Sequence, residues 1–194
     1  MERAAVSTLG VPFDIETVSA SDDVAARISE LQIDAGEGPC WDAHRTRAPV
    51  LIPDLGDVAP ARWPVFTHTI ADLDVHAIYS FPLSIGTLQI GVVDLYAEGT
   101  DTLTPDAVAD AGALADQVAA DVLRHALARR GDDSSADGPF SRREVHQATG
   151  MVLAQLHLAP ADALLLIRAH AYASGRSVRE TAADITARRL TLRP

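Results

Sequence analysis

The sequence predicts a mixed strand-and-helix (α+β) unit followed by a small all-α unit. Three observations carry this division. Strand-like alternation recurs through the first hundred residues, with helix signals between the strands. A run of small and polar residues, Gly131-Asp132-Asp133-Ser134-Ser135-Ala136-Asp137-Gly138-Pro139, has nothing to bury and interrupts the chain. Beyond it, two Ser-x-x-Glu patterns and a proline mark three successive helix starts. The expected boundaries are 1–130 for the first unit, 131–139 for a linker and 140–194 for the second unit.

In the first unit, residues 4–9 and 15–20 are β-compatible and flank Gly10-Val11-Pro12-Phe13-Asp14, so they are expected to pair as a hairpin. Ser21-Asp22-Asp23 reads as a helix start, with a capping hydroxyl and acids in the first turn. Val24, Ile28 and Leu31 give that helix one buried face, and Gly36-Glu37-Gly38-Pro39 ends it. Residues 48–53 read as a short strand, and 54–74 as loop and short helix. Residues 75–83 and 88–96 form the strongest hairpin signal, turning near Ser84-Ile85-Gly86-Thr87. Thr104-Pro105-Asp106 opens a long helix, 104–130. Its Val108, Ala111, Ala115, Val118, Val122 and His125 are spaced for a seam against the sheet or against a second copy of the helix.

The second unit reads as three short amphipathic helices. Ser141-Arg142-Arg143-Glu144 predicts a capping box, and Val145, Ala148, Val152 and Leu156 form the stripe behind it. Pro160 opens the second helix, with Leu164, Ile167 and Ala171 apolar and Gly175 as its left-handed stop. Ser177-Val178-Arg179-Glu180 predicts another capping box, followed by Val178, Ala182 and Ile185.

Charge separates the two units sharply. The 194-residue chain carries a net charge of −11, which taken alone opposes nucleic acid binding. Residues 140–194, however, hold eight arginines against four acids, a net of +4, and residues 1–139 hold eight arginines against 23 acids, a net of −15. All basic residues are arginine, a composition expected of a GC-rich bacterial genome. The apolar runs are too short for a membrane span, and a single cysteine permits no internal disulfide, so a cytoplasmic setting is expected. The seven histidines show no two-ligand helical spacing, so no structural metal is expected. No nucleophile elbow, phosphate-binding glycine loop or kinase signature is present, so the chain does not read as an enzyme.

Two sets of residues resemble known families. Gly36-Glu37-Gly38-Pro39-Cys40-Trp41, then Pro49 to Leu55, then Trp63-Pro64-Val65-Phe66, and finally Ile90-Gly91-Val92-Val93-Asp94-Leu95-Tyr96 resemble, in that order, the GAF domains of actinobacterial GAF–ANTAR regulators. Residues 141–190 resemble an ANTAR domain. Ala148-Thr149-Gly150-Met151-Val152-Leu153 stands where that family has Ala-Lys-Gly-x-Leu-Met. Ala163 to Arg168 stands where it has Ala-Phe-x-x-Leu-Arg. The resemblance implies a GAF-like antiparallel sheet flanked by helices, joined to an all-α three-helix ANTAR domain. It implies a signal-gated transcription antiterminator, often dimeric, that binds RNA hairpins and senses a small molecule or a protein partner. Two departures bear on this. Thr149 replaces a lysine and removes a phosphate contact, and the chain starts at its first strand where relatives carry a leading helix. The first departure leaves open a regulator whose ANTAR part no longer binds RNA. A DNA-binding three-helix module is a further alternative.

For an RNA surface the resemblance and the charge point to Arg168, Arg176 and Arg179, with Arg142, Arg143 and Tyr172 beside them. A planar guanidinium matches phosphate and stacks on bases. Arg188, Arg189 and Arg193 read equally as partners of a helix dipole. For a ligand pocket the candidates are Glu37, Cys40, Trp41, Phe66, Tyr79, Phe81 and Asp94, although buried aromatics need no ligand to justify them. Alternation places Asp94 with Ile90, Val92 and Tyr96 on a mostly apolar face, as a ligand acceptor or a partner of a nearby amide. Cys40 lacks a resolving partner and reads as a core thiol. The sequence identifies no particular cofactor or ligand for this unit, and the cofactor is left unknown.

Overall fold

The computed structural model describes residues 3–59, 61–100, 102–129 and 140–193. The linker expected at 131–139 lies outside the described residues. The chain divides into two compact units, Met1–Ser135 and Ala136–Pro194.

The first unit is built on a five-stranded antiparallel sheet. Strands β1 (Arg3–Thr8) and β2 (Glu16–Ala20) pair as expected, Ala5 opposite Ala20 and Thr8 opposite Glu16, and Gly10 turns the chain between them at φ 91°. Helix α1 (Asp23–Ala35) follows. Its cap is Asp22 rather than Ser21: the carboxylate accepts from the Ala25 amide at 2.8 Å. Gly36, left-handed at φ 72°, closes it, its N–H donating to the Gln32 carbonyl. A second helix, α2 (Pro39–Thr46), starts at once. The sequence did not reveal it, because its buried positions Pro39, Cys40 and Ala43 are too few and too small to make an apolar stripe.

Strand β3 (Val50–Ile52), a single 3-10 turn at Leu55–Asp57 and helix α3 (Pro64–Ile70) lead into the long hairpin of β4 (Ala77–Ile85) and β5 (Leu88–Ala97). The sheet order is β2-β1-β5-β4-β3, which places β5 at its centre. Leu83 pairs with Gly91 but Ser84 pairs with Gln89, so Ile90 is the extra residue of a β-bulge. The bulge overturns part of the expected alternation. Val92 and Tyr96 pack beneath α1, α2 and α3, whereas Ile90 joins Tyr79, Phe81 and Leu83 on the opposite face.

That opposite face is covered by α4 (Pro105–Arg129), opened by Thr104, whose hydroxyl accepts from the Ala107 amide at 3.2 Å. Ala111, Ala115, Ala119 and Val122 are buried against β4 and β5, so the expected seam packs on the sheet. His125, assigned to that seam, is exposed, one turn beyond its last buried residue. Small side chains let the helix lie close, and most of the apolar burial comes from the sheet. A residue such as Tyr79 or Phe81 contributes on the order of 2–3 kcal/mol by leaving water.

The second unit contains α5 (Arg143–Leu156), α6 (Pro160–Ala173) and α7 (Val178–Thr186). The first expected capping box does not form. Arg142 occupies the cap position, where its side chain does not cap the helix, and the Ser141 hydroxyl accepts a long 3.4 Å bond from the Arg143 amide. The second box forms in full, with Ser177 Oγ accepting from the Glu180 amide and Glu180 Oε2 accepting from the Ser177 amide. Gly175 is left-handed at φ 64°, as expected of a helix stop. Val145, Val152, Ile167, Val178 and Ile185 meet in one core, and the Gln155 amide donates to the Leu192 carbonyl, tying the tail to α5. Among the described residues no single helix is long and apolar enough to cross a membrane.

Two glycines test this packing in opposite directions. A Cβ on Gly91 would fall 1.8 Å from the Ser7 carbonyl oxygen, a backbone atom that cannot yield, whereas one on Gly112 in α4 meets nothing within 4 Å. Gly91→Ala is expected to destabilise the full chain by about 3 kcal/mol or more. Gly112→Ala is expected to stabilise it by about 0.5–1 kcal/mol through helix propensity. Urea denaturation followed by circular dichroism measures both.

Candidate functional site

The most elaborate polar arrangement in the first unit centres on Asp94, which is buried at the middle of β5. Its carboxylate accepts from Ser80 Oγ on β4 at 2.5 Å, from Gln32 Nε2 on α1 at 2.9 Å and from Tyr96 Oη at 3.3 Å. The other end of the Gln32 amide, Oε1, accepts from the Cys40 amide at 2.8 Å, and its backbone carbonyl accepts from Trp41 Nε1 at 2.8 Å. One glutamine therefore joins α1, α2 and the sheet. No motif marks Gln32, and it was not among the expected site residues. The legible signal was a polar residue four positions after Ile28 on the buried face of α1.

The Gly36-Glu37-Gly38-Pro39-Cys40 stretch is explained by this arrangement. Gly38 sits at φ 127°, and a Cβ there would press on Gln32 Oε1 at 2.7 Å, so the chain passes over the amide only as glycine. Pro39 begins α2, which aims the Cys40 N–H at Gln32. The Glu37 carboxylate leaves the network and caps another helix, accepting from the Val65 and Phe66 amides at 2.6 and 3.0 Å. These are open donors of the first turn of α3, where an anion is favoured.

Burial governs the chemistry of the network. It raises the Asp94 carboxyl to about 6, even though Ser80, Gln32 and Tyr96 each favour the charged form. Burial first, then the nearby Asp94 charge, pushes the Cys40 thiol and the Tyr96 phenol well up. The Cys40 sulfur is thus held as a thiol rather than a thiolate nucleophile.

The expected pocket residues do not converge on one space. Phe66 packs with Trp63, Ile28 and Tyr96, and Cys40 and Trp41 with Val92, beneath the helices. Tyr79 and Phe81 lie on the other face, against α4. A cavity of about 470 Å³ opens elsewhere, between the β1–β2 connection and the last turns of α4, with Phe13, Asp14, Leu88, Val122 and Leu123 in its wall. None of the seven expected pocket residues lines it. Among the described residues no group of three or more His, Cys, Asp or Glu side chains is placed to hold a metal ion.

In the second unit, Arg168 and Tyr172 share one side of α6 at a spacing of four, and Tyr172 is 52 % exposed. Arg143 is exposed at the start of α5, Arg179 is half-buried in the first turn of α7, and Arg142 is 6 % exposed. Arg176 is drawn along α7 to Asp184, 2.7 Å away. Thr149 is half-buried, and its hydroxyl donates to the Val145 carbonyl at 2.7 Å within α5.

Residues 2–120 match the GAF domain family, and residues 140–185 match the ANTAR domain. No curated protein matches the chain. Among solved structures, the GAF domain region of a Geobacter sulfurreducens protein is 14 % identical over 64 % of this chain and 82 % of its own, with a TM-score of 0.51. A domain of a two-component sensor histidine kinase protein from Sinorhizobium meliloti is 17 % identical over 66 % of this chain and 84 % of its own, with a TM-score of 0.48. The second GAF domain of DevS from Mycobacterium smegmatis is 15 % identical over 68 % of this chain and 87 % of its own, with a TM-score of 0.44. At these identities the Geobacter likeness shows the fold of the first unit, a five-stranded antiparallel sheet with helices.

The buried carboxylate makes stability depend on pH. The folded value of about 6 lies above the ordinary 3.8, so the folded state holds its proton longer than the unfolded chain. The stabilising effect is complete below pH 3.8 and is lost as pH rises through 6. Relative to Asp94→Asn, which stays neutral, the wild-type chain is expected to lose on the order of 2 kcal/mol between pH 4 and pH 7. Urea midpoints of both proteins across that range give the difference. A flat difference would show that the Asp94 carboxylate ionises without cost in the fold.

Proposed function

Because the chain belongs to the GAF domain family and carries an ANTAR domain behind it, we propose that it is a signal-responsive transcription antitermination regulator. The observation that carries this reading is the ANTAR match falling on the three-helix unit, the one part of the chain with a net positive charge. Its ligand is then an RNA hairpin, read by arginines on a rigid helical scaffold rather than by a catalytic constellation. A hairpin loop displays unstacked bases and closely spaced phosphates, and an arginine beside a tyrosine on one helix face suits both. Arg168 and Tyr172 occupy that position on α6, with Arg176, Arg179 and Arg143 as further phosphate contacts. Arg142, at 6 % exposure, contributes to the fold of the unit more than to its surface.

The first unit supplies the signal input in this reading, from a small molecule or a protein. In this reading the chain is a regulator of the actinobacterial type, acting in the cytoplasm as a non-enzyme. A homodimer is part of this reading, as the resemblance implies. A second reading is favoured by Thr149, whose hydroxyl is turned back onto its own helix where the family offers a lysine. In that reading the protein senses a ligand or partner and its ANTAR part no longer binds RNA.

Crosslinking in cells and sequencing of the bound RNA identifies the hairpin, and filter binding with the full-length protein then measures affinity against duplex DNA of the same sequence. The leading reading expects tight hairpin binding and weak DNA binding. Arg168→Ala is expected to weaken the hairpin complex by about 1–3 kcal/mol, and Arg188→Ala to leave it nearly unchanged. Circular dichroism establishes that each variant is folded. A folded Arg168→Ala protein with wild-type affinity removes the α6 surface from the proposal, and the absence of any bound RNA favours the second reading.

A further inference from the structure

Arg176 and Arg189 are thirteen positions apart in the sequence, yet both reach one carboxylate. Arg176 Nη1 lies 2.7 Å from Asp184 Oδ2. Arg189 Nε and Nη2 lie 2.7 and 2.6 Å from Asp184 Oδ1. The side chains are 40 %, 63 % and 20 % exposed for Arg176, Arg189 and Asp184, so the cluster faces solvent.

Backbone features on either side hold the two arginines in place. Arg176 sits between the left-handed Gly175 and the capping box at Ser177, and its own N–H donates to the Ala171 carbonyl at 2.9 Å. Arg189 follows the left-handed Arg188, and its N–H donates to the Asp184 carbonyl at 2.8 Å. Asp184 thus fixes Arg189 twice, by backbone and by side chain. The two guanidiniums hold its carboxyl below the usual carboxylate range, Arg176 contributing most.

Each guanidinium carries five N–H donors. Asp184 and the Glu180 carbonyl, which accepts from Arg176 Nη2 at 3.4 Å, engage only some of them. Between residues 176 and 189 four arginines stand against two carboxylates, so the flank stays positive. Two guanidinium forks gathered on one carboxylate stand close enough for a single phosphate to bridge their remaining N–H donors.

We propose that Arg176 and Arg189, held together on Asp184, form one phosphate-binding site for RNA on the flank of α7, and that Arg189 is therefore an RNA-contact residue. The proposal rests on the RNA-binding reading above and extends its surface beyond Arg168. Asp184 acts as a positioning residue: it restrains two rotamer-rich side chains before the nucleic acid arrives, which reduces what binding must order. Arg188 lies next to Arg189 but takes no part in the cluster, and it serves as the internal control.

Two experiments on the full-length protein decide the matter. In filter binding with the crosslinked hairpin, Arg189→Ala is expected to weaken binding about tenfold and to lower the salt slope by roughly 0.7, with Arg188→Ala within twofold of wild type. The Arg176→Ala/Arg189→Ala double variant should lose less than the product of the two single losses, because both contact the same phosphate. An Arg189→Ala protein that is folded and binds like Arg188→Ala, or a double variant that loses the full product, overturns the proposal. If Arg168→Ala weakens binding in the same series, the RNA-binding reading stands regardless.

The second experiment needs no RNA. Inorganic phosphate is titrated at constant ionic strength while the arginine Nε–H resonances are followed by ¹H–¹⁵N NMR. A saturable shift of the Arg189 resonance that disappears in Arg176→Ala supports the site. A wild-type protein with no saturable shift overturns it, and shows the cluster to be a surface staple for α7.

Discussion

The hydrogen bond between Gln32 and Asp94 is the constraint around which the first unit is organised. It ties α1 directly to the central strand, while Trp41 Nε1 on the Gln32 carbonyl and Gln89 Nε2 on the His44 carbonyl tie α2 to α1 and to β5; the apolar contacts around them set distance better than orientation. The amide supplies orientation at both ends. Nε2 meets the sheet at Asp94, and Oε1 meets α2 at the Cys40 amide. The backbone around it has accommodated this. Gly36 terminates α1, Gly38 clears the amide, and Glu37 reaches across to start α3. A second buried set, the hydroxyls of Ser7, Thr17 and Ser29, repeats the device one turn earlier on α1, with oxygen separations of 2.7 and 2.8 Å. Polar groups thus fix α1 on the sheet at two points along its length, and each would be costly to leave unpaired.

The second unit is held together by a different kind of interaction. Its core is small and apolar, and the polar bonds that shape its turns lie near helix ends. Here the local rules apply almost directly: the Ser177–Glu180 box, the left-handed Gly175 and Pro160 in a first turn each act within a few residues of their own position. Ser141 shows where such rules stop. Arg142, and not Ser141, takes the cap position and is buried, so the capping box that the local pattern favours does not form.

This contrast explains what was legible in the sequence. The strands, the long hairpin, α1, α4 and all three helices of the second unit were marked by periodicity, caps and turn residues acting locally. The helix α2 was not, since its stability comes from β4 and β5 rather than from a stripe of its own. Glu37 and Asp94 were visible as polar residues in apolar company, but their partners were not. Asp94 meets a glutamine 62 positions away, and Glu37 meets amides 28 and 29 positions away. The Arg176–Asp184–Arg189 cluster was half legible. Arg176 stood out beside a glycine turn, whereas Arg189 looked like one more basic residue at a helix end, and only the left-handed turn at Arg188 brings it back to Asp184.

A buried carboxylate is a poor way to add stability, because desolvation opposes the charge that its donors favour. Its value in this fold is positional. A one-residue slip of β5 would exchange the faces of the strand and carry Asp94 into the cluster of Tyr79, Phe81 and the α4 alanines. It would there lose Ser80 and Gln32 together. The bulge at Ile90 shows that β5 does change faces once, close to its start. Gln89 then lies on the α2 side, where its amide donates to the His44 carbonyl at 2.6 Å, and Ile90 lies on the α4 side. Downstream of that point Val92, Asp94 and Tyr96 follow strict alternation. The irregular residue is therefore placed where the polar bonds on either side of it, Gln89 to α2 and Asp94 to α1, are both satisfied. With the bulge in place, the central strand has one register in which every buried polar side chain along it is paired.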